Sequence, residues 1–342
     1  MEKLNWGIIG LGEIARKFSE GFLETQNSKL IAVASKNVEK LNFFKNKFNI
    51  DNQFLFNAYE DILNCKEVDV IYIALPNSLH YDWIIKSVQN KKNVLVEKPA
   101  TVNFNQAYDI KQILTGHDLF FGEAFMYRHF PQLDYVLKLI KNNEIGNLVS
   151  MESFFGVNLL TKKKFFLFKK KKKINKENRL FNKNLGGGCI LDLGCYPSSL
   201  SLLISSLIEK NNFKNFKIQN FHKEIGETGV EVDASVEIFF ENQFKSKIRS
   251  SFKKNLGKET VIHGTHGKII INNTWTSNES IQIVNSRKKQ TEKFDCNKNI
   301  YSYQIEQISK NILQGIKKTI FPAVSIDETL MNMRLIEDWK NA

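Results

Sequence analysis

Short apolar runs and helical stripes alternate along the first third of the chain. Residues 6–9 are apolar apart from one glycine and are closed by Gly10, and a helical pattern follows over 13–24. A second apolar run at 30–34 leads into a helical pattern over Val38–Phe48. A third, 70–75, is stopped by Pro76 and Asn77, and a helix over 79–90 leads to the run at 94–96. Continuous apolar runs of this length read as strands buried on both faces. Strands that alternate with helices pair in parallel through right-handed crossovers. The pattern therefore predicts an α/β unit over residues 1–122, built on a doubly wound parallel sheet.

Beyond residue 122 the texture changes. Phe130, Leu133, Val136, Leu137 and Ile140 form a helical stripe within 125–141. Strand-like runs follow at 148–157, 234–240, 247–251, 260–263 and 268–271, separated by turn residues such as Gly257, Gly264 and Gly267. Runs so closely spaced suit an antiparallel sheet. With helices over 195–208, 300–314 and 327–341, residues 123–342 are expected to form an α+β domain for substrate binding and oligomerisation. Its sheet would be open and mostly antiparallel, with helices on one face. Another copy of the chain would cover the other, so a homodimer or homotetramer is expected.

Composition narrows the class. The chain has 342 residues, 42% hydrophobic and 25% charged, enough for two cores. No apolar run approaches the ~18 residues of a membrane span. The start carries no signal-peptide pattern, which makes the cytoplasm the expected location and a membrane an unexpected partner. Cys65, Cys189, Cys195 and Cys296 form no CxxC pair, as suits reduced thiols. His263 and His266 lack a carboxylate neighbour, so no metal site is expected. The net charge is +13, and eight lysines within 162–173 supply most of it. A solvated loop is the plain reading of that run, and attraction of an anionic ligand is the other. No recognisable nucleic-acid-binding module accompanies it, so nucleic acid is not an expected partner.

Three constellations carry chemistry. Gly10, Gly12 and Ala15 form GxGxxA, with Glu13 and Ile14 inside it, between a predicted strand and a predicted helix. In that setting the motif is a dinucleotide-binding Rossmann fingerprint: the first glycine makes the turn, the second admits the pyrophosphate and the helix N-terminus faces its charge. After the second strand come Ser35 and Lys36, with no acid until Glu39. A serine or basic residue there suits the 2′-phosphate of NADP, whereas NAD is served by an acid. NADP is therefore the favoured cofactor, with NAD the alternative. Glu97-Lys98-Pro99 follows a buried strand, where a lysine can hold or protonate a substrate oxygen; read alone, it fits a surface lysine equally well. Finally, Asp192 and Tyr196 follow Gly186–Gly188 and lie four apart, on one face if a helix begins near Asp192. A carboxylate and a phenol can grip a hydroxyl and move its proton, although a buried structural tyrosine is the alternative.

In this order, the fingerprint, Leu75-Pro76-Asn77 with His80, Glu97-Lys98-Pro99, Glu123 to Arg128 with Pro131, and the Gly186-to-Tyr196 segment resemble the Gfo/Idh/MocA family. That is the family of glucose–fructose oxidoreductase and inositol dehydrogenase. The resemblance covers nearly the whole chain and extends to Ile262–Lys268. Tyr196, with Arg179-Leu-Phe before the glycines, is similar to the dihydrodiol and xylose dehydrogenase subgroup. The resemblance implies hydride transfer between a nicotinamide and a carbinol or carbonyl carbon of a sugar or related polyol. It makes Lys98 the catalytic lysine, Tyr196 the proton-transfer residue and Asp192 the residue that positions substrate. Leu75, Pro76, Asn77, His80, Glu97 and Arg128 fall on the cofactor side. The lysine run before Arg179 leaves open a phosphorylated or nucleotide-linked substrate. Relatives that hydrolyse glycosides through a transient NAD-dependent oxidation, and non-catalytic dinucleotide-binding regulators, are the alternative readings.

Overall fold

Strands β1 (Leu4–Ile9), β2 (Ser28–Ala34), β3 (Leu55–Phe56), β4 (Val70–Ile73), β5 (Asn93–Val96) and β6 (Phe121–Glu123) form one sheet in the order β3-β2-β1-β4-β5-β6. Every pair in it is parallel. Helices α1 (Glu13–Glu20), α2 (Val38–Phe48), α3 (Tyr59–Asn64), α4 (Asn77–Gln89) and α5 (Phe104–Thr115) make the connections. This is the doubly wound Rossmann order, whose strand direction of progress reverses between β1 and β4. β4 and β5 are buried along their whole length, which is why they read as unbroken apolar runs. The structure, a computed structural model, describes residues 2–164, 168–208, 215–277, 279–286, 289–294 and 297–342.

The second sheet follows α6 (Pro131–Lys141). Its strands are β7 (Leu148–Gly156), β10 (Phe216–Ile225), β11 (Glu231–Phe240), β12 (Lys245–Ser251), β13 (Thr260–Gly264), β14 (Gly267–Ile271), β15 (Ser280–Asn285) and β16 (Lys289–Lys293), in the order β10-β11-β12-β7-β13-β14-β15-β16. β12 and β7 are parallel and the other neighbours antiparallel, so the sheet is mixed and mostly antiparallel. A separate hairpin pairs β8 (Thr161–Lys164) with β9 (Phe168–Lys171). The side chains of 162–171 and residue Cys296 lie outside the described residues, and with them the expected part of the lysine run. Helix α7 (Cys195–Ser206) is buried in every residue but the last, Ser206. Ser201 shares a hydrogen bond of 2.6 Å with Ser246 of β12, and a Cβ on Gly194 would stand 2.7 Å from the Trp339 ring. By length and apolar content the segment Lys183–Ser206 could cross a membrane, contrary to the sequence expectation; its apolar window is wholly buried, as in a core helix.

Two further helices, α8 (Ile300–Leu313) and α9 (Ile326–Asn341), redraw the expected boundary. The first compact unit is Met1–Phe130 with Asn297–Leu330, and the second is Pro131–Cys296 with Met331–Ala342. Placing all of 123–342 in one domain was therefore wrong for α8 and for residues 123–130. The cause is polar and aromatic anchoring: Trp6 Nε1 donates to Ser309 Oγ on α8 at 2.9 Å, and the Phe18 and Tyr301 rings meet edge to face.

Candidate active site

In the first unit, Gly10 and Gly12 end β1 beside the loop that ends β4. Gly10 has φ 91°, and a Cβ there would lie 2.7 Å from the Ala74 carbonyl oxygen, so glycine is required. Gly12 is the opposite case: a Cβ would meet nothing within 4 Å. It precedes α1, and no side chain caps the helix. Glu13, Ile14 and Ala15 form its first turn, and only Ala15 is fully buried. Uncapped N–H groups at a helix start, facing open space across a glycine, fit a pyrophosphate. A groove beside them is lined by Gly12, Glu13, Arg16, Glu39 and Lys40, with Leu11, Phe43 and Phe44. Ser35 is buried at the end of β2, where its Oγ accepts the Asn37 N–H at 3.1 Å; Lys36 is exposed, its Nζ 5.8 Å from the Tyr59 ring. A hydroxyl and an ammonium directly after β2 fit a 2′-phosphate, with Glu39 one turn further on.

The loops after β4 and β5 hold the remaining residues expected in this unit. Leu75 and Pro76 are partly buried and Asn77 opens α4. Glu97 is buried; Tyr72 Oη donates to its Oε1, and the Lys98 backbone N–H donates to its Oε2 at 3.3 Å. Burial, and then the charge of Glu97, push the Tyr301 phenol up. Lys98 is half-buried, and the Lys98–Pro99 peptide is cis. His80, expected either on the cofactor side or as an ordinary residue of a helix start, lies in the first turns of α4. It is wholly buried, and its Nδ1 and Nε2 lie 2.9 and 2.8 Å from the Pro99 and Leu75 carbonyl oxygens. Arg128 differs from the expectation of a cofactor-side residue: it is buried and donates to Tyr127 Oη, to the Pro322 carbonyl and to Glu328 at 3.3 Å, so its guanidinium faces the protein interior.

In the second unit, three glycines shape the approach to Asp192. Gly186 is left-handed, and a Cβ on Gly187 would sit 2.8 Å from the carbonyl oxygens of Arg179, Leu180 and Asn182. Residues Ile190–Gly194 form a π-helical turn running into α7. The expected helical spacing of Asp192 and Tyr196 is altered by it, because a π turn holds more residues than an α turn. Asp192 is buried and accepts Arg179 Nη1 at 3.0 Å. Tyr196 is buried against the edge of Phe155 and beside Trp275, at ring distances of 5.3 and 5.7 Å. Burial of the neighbouring Cys189 pushes its thiol up to about 12, which marks it as an inert core residue.

Sequence reasoning gave no role to Tyr72, Glu123 or Thr329, all of which brace the loop around Lys98. Tyr72 had a signal: a hydroxyl inside an apolar parallel strand needs a partner. Thr329 had none, being remote in the chain.

Residues 4–125 match the family model described as oxidoreductase family, NAD-binding Rossmann fold, and residues 134–270 match the Gfo/Idh/MocA C-terminal domain. The trans-1,2-dihydrobenzene-1,2-diol dehydrogenase of Xenopus tropicalis is 26% identical across 97% of this chain and 96% of its own length. The D-xylose 1-dehydrogenase (NADP(+)) of Hypocrea jecorina is 30% identical across 57% of this chain and 51% of its own. Among solved structures, the aldose–aldose oxidoreductase from Caulobacter crescentus, complexed with glycerol, has a TM-score of 0.84 at 21% identity, covering 100% of this chain and 97% of that one. A 3-ketoreductase from Actinomadura kijaniata, in complex with NADP and TDP-benzene, has a TM-score of 0.81 at 19% identity, covering 99% and 98%. The fingerprint at an open helix start, the doubly wound order and the two matched domains make this chain a member of the Gfo/Idh/MocA family of NAD(P)-dependent oxidoreductases.

Proposed function

We propose that the enzyme uses NADP to interconvert a carbinol and a carbonyl on a sugar or related polyol, free or nucleotide-linked. The observation that carries this reading is the arrangement in the second unit. A carboxylate fixed by Arg179 lies in a π turn just before a tyrosine walled by aromatic rings. Such a pair can hold one hydroxyl and take a proton from its neighbour. The names of the relatives, a xylose dehydrogenase and a dihydrodiol dehydrogenase, support a vicinal-hydroxyl substrate.

A bound nicotinamide supplies the site that accepts or donates the hydride. In the oxidation direction Tyr196 would accept the hydroxyl proton, and the Lys98 ammonium would steady developing negative charge. Asp192 accepts a hydrogen bond from an adjacent hydroxyl. Reduction reverses the path, with Tyr196 returning the proton. Ser35 and Lys36 take the 2′-phosphate. Reduced thiols at Cys65 and Cys189 support a reducing, cytoplasmic location. Exposed Phe221 and Ile225 on β10 support self-association, which light scattering of the purified chain tests.

The deciding experiment follows nicotinamide absorbance with NADP and NAD against aldoses, polyols and nucleotide sugars. Lys98→Ala and Tyr196→Phe should each lower kcat by about 10²–10⁴ while dinucleotide affinity stays nearly constant. Comparable losses of affinity and kcat would overturn these roles.

A further inference from the structure

The backbone around Lys98 is held from both sides. Before it, Glu97 accepts the Tyr72 hydroxyl and the Lys98 N–H. After it, the peptide joining Pro99 to Ala100 is gripped at both of its polar atoms. Its carbonyl oxygen lies 2.9 Å from His80 Nδ1, and its N–H donates to Glu123 Oε1 at 2.9 Å. Each grip is anchored elsewhere. His80 Nε2 stands 2.8 Å from the Leu75 carbonyl oxygen, and Glu123 Oε2 accepts the Thr329 hydroxyl at 2.7 Å. Both side chains are buried.

The His80 ring thus lies between the carbonyl oxygens of two loops, and the tautomer decides which of them accepts its N–H.

We propose that His80 and Glu123 are positioning residues that clamp the Pro99–Ala100 peptide and thereby fix Lys98. The inference rests on the reading of Lys98 given above. His80 ties the loop after β4 to the loop after β5, so one ring sets the spacing of both. Glu123 fixes the same peptide from the end of β6. Neither acts on substrate directly; each works through the placement of the lysine, for which an error of about 1 Å can cost on the order of a hundredfold in rate.

Two variants and two readouts test the clamp. His80→Leu keeps the volume and removes the ring's hydrogen bonding, whereas His80→Gln restores N–H groups. Acylation of Lys98 by an amine-reactive ester, quantified by mass spectrometry against the other lysines, needs no substrate. It should change by about tenfold in His80→Leu, as for a locally loosened segment, and return part of the way in His80→Gln. An unchanged Lys98 rate in both variants would overturn the clamp. In turnover, His80→Leu should lower kcat about tenfold to a hundredfold but add little in a Lys98→Ala background, because the two share one route. Full additivity would overturn the role through Lys98. If Lys98→Ala leaves turnover intact while His80→Leu alters Lys98 acylation, the clamp stands and the catalytic reading of Lys98 fails.

Discussion

Glu123 offers a prediction whose size follows from its surroundings. Its carboxyl is completely buried at the end of β6, and burial pushes it up from 4.5 to about 7. The Thr329 hydroxyl, the Ala100 N–H and the Arg128 charge pull the other way without cancelling that shift. A carboxyl raised in the folded state holds its proton there after the unfolded chain has released its own. Its contribution to stability is thus complete below the unfolded value near 4.5 and is lost as pH rises towards about 7. Two to three pH units of difference correspond to roughly 3 kcal/mol. Glu123→Gln keeps an acceptor for the Ala100 N–H and an amide for Thr329, and it cannot ionise. Urea unfolding of the full chain, followed by a probe in the first unit between pH 4.5 and 8, should show the variant gaining on the wild type. The gain should approach ~3 kcal/mol by neutral pH, or about 2–4 °C in melting temperature for each kcal/mol in a unit of this size. Parallel stability curves across that range would refute the reasoning, because they would mean that Glu123 titrates as a solvated carboxyl.

Other substitutions separate fold from function. Gly12→Ala meets open space and an ordinary φ of −85°, so stability should hold within ~0.5 kcal/mol while dinucleotide affinity falls; unchanged affinity in a fluorescence titration would place the pyrophosphate elsewhere. Gly187→Ala drives a Cβ towards three carbonyl oxygens at 2.8 Å and should cost about 2 kcal/mol or more in thermal unfolding, and a loss near zero would show that the turn opens freely. Arg179→Ala breaks an ion pair whose arginine side chain is 50% exposed, so stability should change by under about 1 kcal/mol. Its substrate KM should nonetheless rise, since Asp192 loses the partner that orients it; an unchanged KM would remove Asp192 from the substrate site.

What the sequence made legible was local. β4 and β5 are runs of buried residues, α2 begins with Asn37 capping the Lys40 N–H, and both features lie within a few residues of chain. α5 was missed although its start carries a comparable signal: Asn103 caps the Gln106 N–H, and Gln106 returns a bond to Val102. Its mixed polar sequence hid the stripe, and the capping pair alone would have found it. β15 and β16 were missed because they are short and only partly apolar, and β16, at the sheet edge, has β15 alone as a neighbour.

The site divides along the same line. Residues that meet a ligand through their own loop, such as Gly10, Gly12, Lys98 and Asp192, stand in recognisable local patterns. Those that hold the loops do not, because their partners are set by topology. His80 shows the difference most clearly. Its position after Asn77 suggested a cofactor contact, and only the parallel placement of β4 beside β5 puts the Pro99 carbonyl within reach of its ring. Thr329 reaches Glu123 across 206 positions, and Arg128 reaches Glu328 across 200, since the chain returns to the first unit through α8 and the start of α9. A motif reading therefore names the reacting groups and leaves out the residues that hold them in place. In this protein those residues include a buried histidine and a buried glutamate, groups whose protons decide what they can hold.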